Sequence, residues 1–138
     1  MIKKSRVIID TNLWISFLIN NDFNKLDKIL NSKHCSIIFS QELLNEFIEV
    51  SGRPKLIKYF GQSAVEAILE TIEEIAEFID VTSQIKFLND SKDDFLLSLA
   101  IDGKADYLIT GDKELLEVNK YGDTQIISID EFLLKYDI

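Results

Sequence analysis

Arg6-Val7-Ile8-Ile9-Asp10-Thr11-Asn12 is a short apolar run that stops abruptly on an acid. Its length and β-branched content are those of a buried strand. Leu13, Trp14, Phe17 and Leu18 then recur at helical spacing, so the run reads as strand, acid, helix. The same alternation continues along the chain. Leu26, Ile29 and Leu30 suggest a second helix, Cys35 to Phe39 a second strand, and Leu43, Leu44, Phe47 and Val50 the helix after it, punctuated by Gly52 and Pro54. Ser63 with Glu66 forms a capping-box pattern that predicts a helix opening there and running to about Ala76. Phe78 to Val81 reads as a third strand. Ser91 with Asp94 predicts the cap of a helix ending at Gly103 as its C′ residue. Tyr107 to Ile109 is a fourth strand, Lys113 to Val118 a short helix and Gln125 to Ile127 a fifth strand. Ser128 with Glu131 opens a terminal helix.

Five short apolar strands separated by helices predict an α/β fold: a three-layer α/β/α sandwich around a central five-stranded parallel sheet. At 138 residues, one domain spanning 1–138 is expected. The hydrophobic fraction of 46% provides a core without disulfides, and the single Cys35 excludes an internal disulfide. Lys3, Lys4 and Arg6 precede an apolar stretch too short for a signal peptide or membrane anchor, so a cytoplasmic protein with no membrane partner is expected. The one histidine, His34, lies in a polar stretch, and neither a zinc cluster nor a Ser-His-Asp or Cys-His arrangement is visible. Cys35 and Trp14 read as packing residues.

In a parallel sheet, ligands bind beyond the carboxyl ends of the strands. Asp10 follows the first strand directly, Asp112 lies just past the fourth, and Asp93 falls in the first turn of a helix that must pack on the sheet. Each alone is more simply a helix cap or first-turn acid. Their joint placement at one sheet edge favours a site. Asp94, three residues after Ser91, reads as the capping partner, which leaves Asp93 on the apolar side of its helix and Asp90 as a supporting acid. Glu46 borders the Leu43, Phe47 and Val50 stripe and is a fourth candidate.

Two carboxylates about 5 Å apart repel by roughly 3 kcal/mol at an effective dielectric of about 20. Such a cluster must protonate or take up a cation, and oxygen donors favour Mg²⁺ or Mn²⁺, as one or two ions. A hard cation can activate water and neutralise a phosphate. The net charge of −9 argues against a broad phosphate-binding surface. A nucleic-acid substrate would then be held locally, through cations and small basic patches, or with a partner's help. Arg53, Lys55 and Lys58 are such a patch; the bland reading is solvated surface, the other an RNA backbone contact.

Ile8-Ile9-Asp10-Thr11-Asn12, Glu46 with Arg53-Pro54-Lys55, Asp90-Ser91-Lys92-Asp93, and Ala105-Asp106-Tyr107-Leu108-Ile109-Thr110-Gly111-Asp112-Lys113 occur in an order and spacing that resemble the PIN-domain ribonucleases. The likeness runs essentially end to end, and is nearest to the small bacterial toxin components of toxin–antitoxin pairs. It implies metal-dependent hydrolysis of RNA. Asp10 and Asp93 would be principal metal ligands, Asp112 would bind or orient metal and water, and Glu46 would complete the catalytic acids. Thr110 and Asn12 would support them by hydrogen bonding. It also implies an antitoxin protein as partner; a homodimer is the common closed assembly for such a chain. Two other readings compete. An aspartyl-nucleophile phosphohydrolase is suggested by Asp10 after a strand and Gly111-Asp112 late in the chain, although Asn12 stands where a second Asp would be needed. A non-catalytic PIN-like interaction module is the other.

Overall fold

In a computed structural model, residues 4–136 are described, so Lys3 lies outside the described residues. The first strand, β1 (Ser5–Ile9), carries Val7, Ile8 and Ile9 with no exposed surface, because it is covered on both faces. It pairs in parallel with β2 (Cys35–Phe39) on one side and β4 (Tyr107–Ile109) on the other. The described residues form one sheet of order β3-β2-β1-β4-β6-β5, where β3 is Glu77–Phe78, β5 Lys120–Tyr121 and β6 Thr124–Ile127. The chain steps outward from β1 to β3, then returns to β4 on the other side of β1. The order therefore reverses between β1 and β4, where a crevice forms at the carboxyl ends.

The sheet has six strands and is mixed, which corrects the five-stranded parallel expectation. Lys120–Tyr121 returns on Thr124–Gln125 as an antiparallel hairpin through Gly122-Asp123, with Gly122 at φ 58°. A lysine and a tyrosine are too short a run to show an apolar alternation, so the edge strand left no hydrophobic pattern to read. The third strand is likewise shorter than Phe78–Val81. It ends at Phe78, and the chain beyond turns along a helix.

Among the described residues seven helices flank the sheet: α1 (Thr11–Asn20), α2 (Asn24–Leu30), α3 (Gln41–Ser51), α4 (Pro54–Ile75), α5 (Ser91–Asp102), α6 (Lys113–Val118) and α7 (Ile129–Tyr136). Trp14 of α1 is fully buried, edge-on to Phe39 and Phe47, which joins α1 to the sheet and to α3. Three helix boundaries differ from expectation. α4 opens at Pro54, where the missing N–H costs nothing, and not at Ser63; it is broken at Gly61, whose φ of 74° and ψ of 159° suit a residue without Cβ. α5 is capped by Asp90 and not by Ser91 with Asp94. Gly103 is right-handed at φ −84°, and the left-handed turn falls on Lys104. Glycine is needed at 103 for space, since a Cβ would stand 2.9 Å from the Leu99 carbonyl oxygen and 3.0 Å from Ile38 Cγ2. At the far end of the chain, the Ser128 hydroxyl accepts the Glu131 amide as the capping pattern predicts.

Candidate active site

Strand ends on this fold must hand the chain to a helix, and short acids satisfy the free amides there. Asp10 caps α1 through Oδ1, which accepts the Asn12 amide at 3.1 Å. Asp112 caps α6 by accepting the Glu114 amide at 3.0 Å, and Asp90 caps α5 by accepting the Lys92 amide at 2.8 Å. Asp10 and Asp112 are thus caps, as the simpler reading has it, Asp90 caps in place of Ser91, Asp93 is a first-turn acid, and all four converge. Asp10, Asp90, Asp93, Asp112 and Glu46 line one pocket of about 160 Å³, together with Thr11, Asn12, Val50, Arg53, Lys92 and Leu96. A larger hollow of about 570 Å³ lies beside the amino ends of β4 and β6. Its Arg6 and Asp106 are already engaged, the Arg6 amide with Asp106 Oδ2 and the Arg6 guanidinium with Glu77 and the Gly103 carbonyl.

Thr110 holds the pocket floor. It is fully buried, donates its hydroxyl to Asp10 Oδ2 at 2.8 Å and accepts the Asp112 amide at 3.0 Å. One hydroxyl therefore sets the position of two acids on neighbouring strands. Asp10 is only 4% exposed, and burial raises its pKa despite the lowering effect of the Asn12 and Thr110 hydrogen bonds; the charges of Asp112 and Asp90 raise it further.

Asp93 is the most perturbed acid here. It is 6% exposed, its Oδ2 is buried without a hydrogen-bond partner, and its pKa is pushed up to about 7. Burial is the largest cause, followed by the neighbouring Asp112 carboxyl and the charges of Asp90 and Asp10. Near neutral pH the Asp93 carboxyl therefore keeps its proton or exchanges it for a cation.

Glu46 reaches the pocket wall from α3 and pairs with Lys92 Nζ at 3.5 Å. Lys92 carries no such signal in the sequence, because only folding brings α3 against the start of α5. Arg53 lines the rim with its guanidinium on Glu49. Lys55 and Lys58 lie outside the pocket, in a separate concavity with Tyr59. His34 is exposed, and Cys35 is buried.

Asp94 departs most from expectation. It is buried, and its Oδ1 accepts the Phe87 and Leu88 amides at 3.1 and 2.7 Å. Four residues on, Ser98 Oγ accepts the Ile85 amide, and Asp102 accepts the amides of Thr82 and Ser83. Asp94, Ser98 and Asp102 form one face of α5 and pin segment 82–88 along it, on the way to Asp90. The i, i+4, i+8 spacing of short polar residues was the available signal.

Among the described residues, no three His, Cys, Asp or Glu side chains close into a preformed ligand set. The acids line an open pocket instead. The donor chemistry nevertheless suits a hard cation: every candidate ligand is a carboxylate oxygen, and one buried oxygen has no partner. Among the described residues no helix is long and apolar enough to cross a membrane.

Comparison with known proteins agrees with this architecture. Uncharacterized protein MJ1680 of Methanocaldococcus jannaschii is 30% identical over 130 residues, an alignment covering 86% of this chain and 79% of that protein. Residues 6–114, from β1 to the start of α6 and so including every acid of the pocket, match the PIN domain family. With parallel strands bringing those acids to one edge and the family profile spanning them, the chain belongs to the PIN domain family.

Proposed function

We propose that this chain is a divalent-metal-dependent endoribonuclease that hydrolyses RNA phosphodiesters with water. The observation that carries the reading is Asp93 Oδ2, a buried oxygen with no hydrogen-bond partner in a pocket shared with Asp10, Glu46, Asp90 and Asp112. A carboxylate in that position is stabilised by a cation or by a proton, and little else. Asp10 and Asp93 would hold Mg²⁺ or Mn²⁺, with Asp112 as a further ligand or a holder of water. When bound, such an ion lowers the pKa of its water and offsets phosphate charge.

The chain's own residues do the remaining work. Thr110 and the Asn12 amide fix the Asp10 carboxylate in one orientation. Asp93, its pKa pushed up to about 7 chiefly by burial, gives up its proton near neutrality as a cation takes its place. Arg53 at the rim offers a guanidinium to a neighbouring phosphate. Lys92 neutralises Glu46 and limits the repulsion that the pocket acids exert on RNA.

The test is cleavage of a labelled single-stranded RNA with Mn²⁺, with Mg²⁺ and with EDTA. Cleavage should require the metal and fall at least a hundredfold in Asp10→Asn and Asp93→Asn. Equal rates in both variants, or cleavage in EDTA, would overturn the reading. The toxin role belongs to the same proposal and rests on the family resemblance alone. Induced expression should arrest growth of a bacterial host, while Asp93→Asn should be tolerated, and a cognate antitoxin protein should relieve the arrest.

A further inference from the structure

Tyr59 is 75% exposed, a large aromatic side chain left almost wholly in water. It lies on the short segment of α4 between Pro54 and the break at Gly61, and it lines a concavity of about 400 Å³ with Lys55 and Lys58. Lys55 is one helical turn before Tyr59, so the two occupy one face, with Lys58 beside them. Among the described residues neither lysine has an ion-pair partner. In a chain of net charge −9, a pair of uncompensated cations framing an exposed ring is a local exception.

The segment starts at the acid pocket. Arg53, the cap of α4, lines that pocket, and Tyr59 follows six residues later, about 9 Å along the helix axis. Cations suit phosphates and an exposed ring suits a base face, but only where the base is unstacked. A duplex would present phosphates and hide its bases. The acidic character of the whole chain makes such a local foothold necessary, since the pocket itself repels a polyanion until cations fill it.

We infer that Lys55, Lys58 and Tyr59 form a subsite for single-stranded RNA, with the lysines on the backbone and one base stacked on the Tyr59 ring, leading the strand past Arg53 into the acid pocket. This inference rests on the nuclease reading and adds to it the place on the surface where the strand is held outside the acid pocket. The Gly61 break ends the segment, so the subsite takes one or two nucleotides and not a long tract.

The experiment measures KM for a Mn²⁺-dependent cleavage of one RNA sequence, presented single-stranded or as a blunt duplex, alongside binding of the single strand by fluorescence anisotropy. Tyr59→Ala should raise KM and Kd for the single strand about tenfold, as loss of one stacked base predicts, with no preference left over the duplex. Tyr59→Phe, which keeps the ring, should match the wild type. The double variant Lys55→Ala/Lys58→Ala should make the log–log salt dependence of Kd shallower by about 1.4, as expected for two lost phosphate contacts. If the wild type cuts RNA while Tyr59→Ala keeps its KM, the subsite is wrong and the nuclease reading stands. If the wild type neither binds nor cuts RNA, both fall. A wild type that cuts the duplex as readily as the single strand also overturns the subsite.

Discussion

Asp10 and Thr110 stand 100 positions apart in the chain and meet through a 2.8 Å hydrogen bond beneath the pocket. The contact exists because β1 and β4 are adjacent, with Ile9 opposite Ile109, so the residues after each strand arrive side by side. Thr110 also receives the Asp112 amide, and it thereby ties the cap of α1 to the cap of α6. One buried hydroxyl thus holds the Asp10 carboxylate and the backbone of Asp112 in fixed relation to each other.

Thr110→Val removes the hydroxyl at nearly constant volume and leaves both a buried carboxylate oxygen and an amide short of a partner. A loss of about 1–3 kcal/mol in unfolding free energy is expected by urea denaturation. The Asp10 pKa should rise further, because a hydrogen bond that favours its charged form is gone. A change under about 0.5 kcal/mol would show that water replaces the hydroxyl.

Asp93 makes stability depend on pH in the sense opposite to a salt-bridged aspartate. Its pKa is about 7 in the folded chain against an ordinary 3.8, so the folded state binds the proton more tightly than the unfolded state. Stability should therefore fall as pH rises from about 4 to about 7, then level off. Asp10, raised in the same direction, adds to the slope. Asp93→Asn should flatten the profile. Added Mn²⁺ should stabilise the wild type more at pH 7.5 than at pH 5, read as a shift in Tm.

Lys92 occupies the place of a counter-cation on Glu46, in an ion pair that is largely exposed on the lysine side. Lys92→Ala should change stability by less than about 1 kcal/mol. It should also tighten Mn²⁺ binding, by up to about fivefold, because one positive charge leaves the acid pocket. Weaker metal binding in this variant, measured by calorimetry, would mean that Lys92 orders Glu46 and does not compete with the metal.

Asp102 supports segment 82–88 with a carboxylate whose pKa is lowered, chiefly by the Ser83 hydroxyl and amide. A depressed pKa contributes stability above the ordinary value of 3.8, lost as pH falls through the lower folded value. Asp102→Ala should speed hydrogen exchange at the amides of Thr82 and Ser83 while those of Phe87 and Leu88, held by Asp94, stay protected. Uniform loss of protection would show that the segment opens as one unit.

Asp94 illustrates what the one-dimensional pattern conceals. Three residues after Ser91 it has the spacing of a capping partner, yet Asp90 provides the cap and Asp94 turns to the incoming segment. Local spacing cannot distinguish these uses, because the amides of Phe87 and Leu88 reach α5 only once the chain has turned back from β3. The start of α4 was obscured for a different reason. Pro54 was read as the end of α3 although it is also a good first residue for the next helix, and the Gly61 break restored a helix-start pattern at Ser63.

The order of strands and helices, the buried faces, and the acids after β1 and β4 were determined by sequence alone. Hydrophobic period and capping chemistry are properties of neighbouring residues, and they survive in a linear string. Which acids share a pocket, the pairing of Glu46 with Lys92, the exposed Tyr59 beside two lysines and the added edge strand were decided by tertiary structure. These depend on strand order and on helix rotation against the sheet, set by burial of the whole core and not by any short segment.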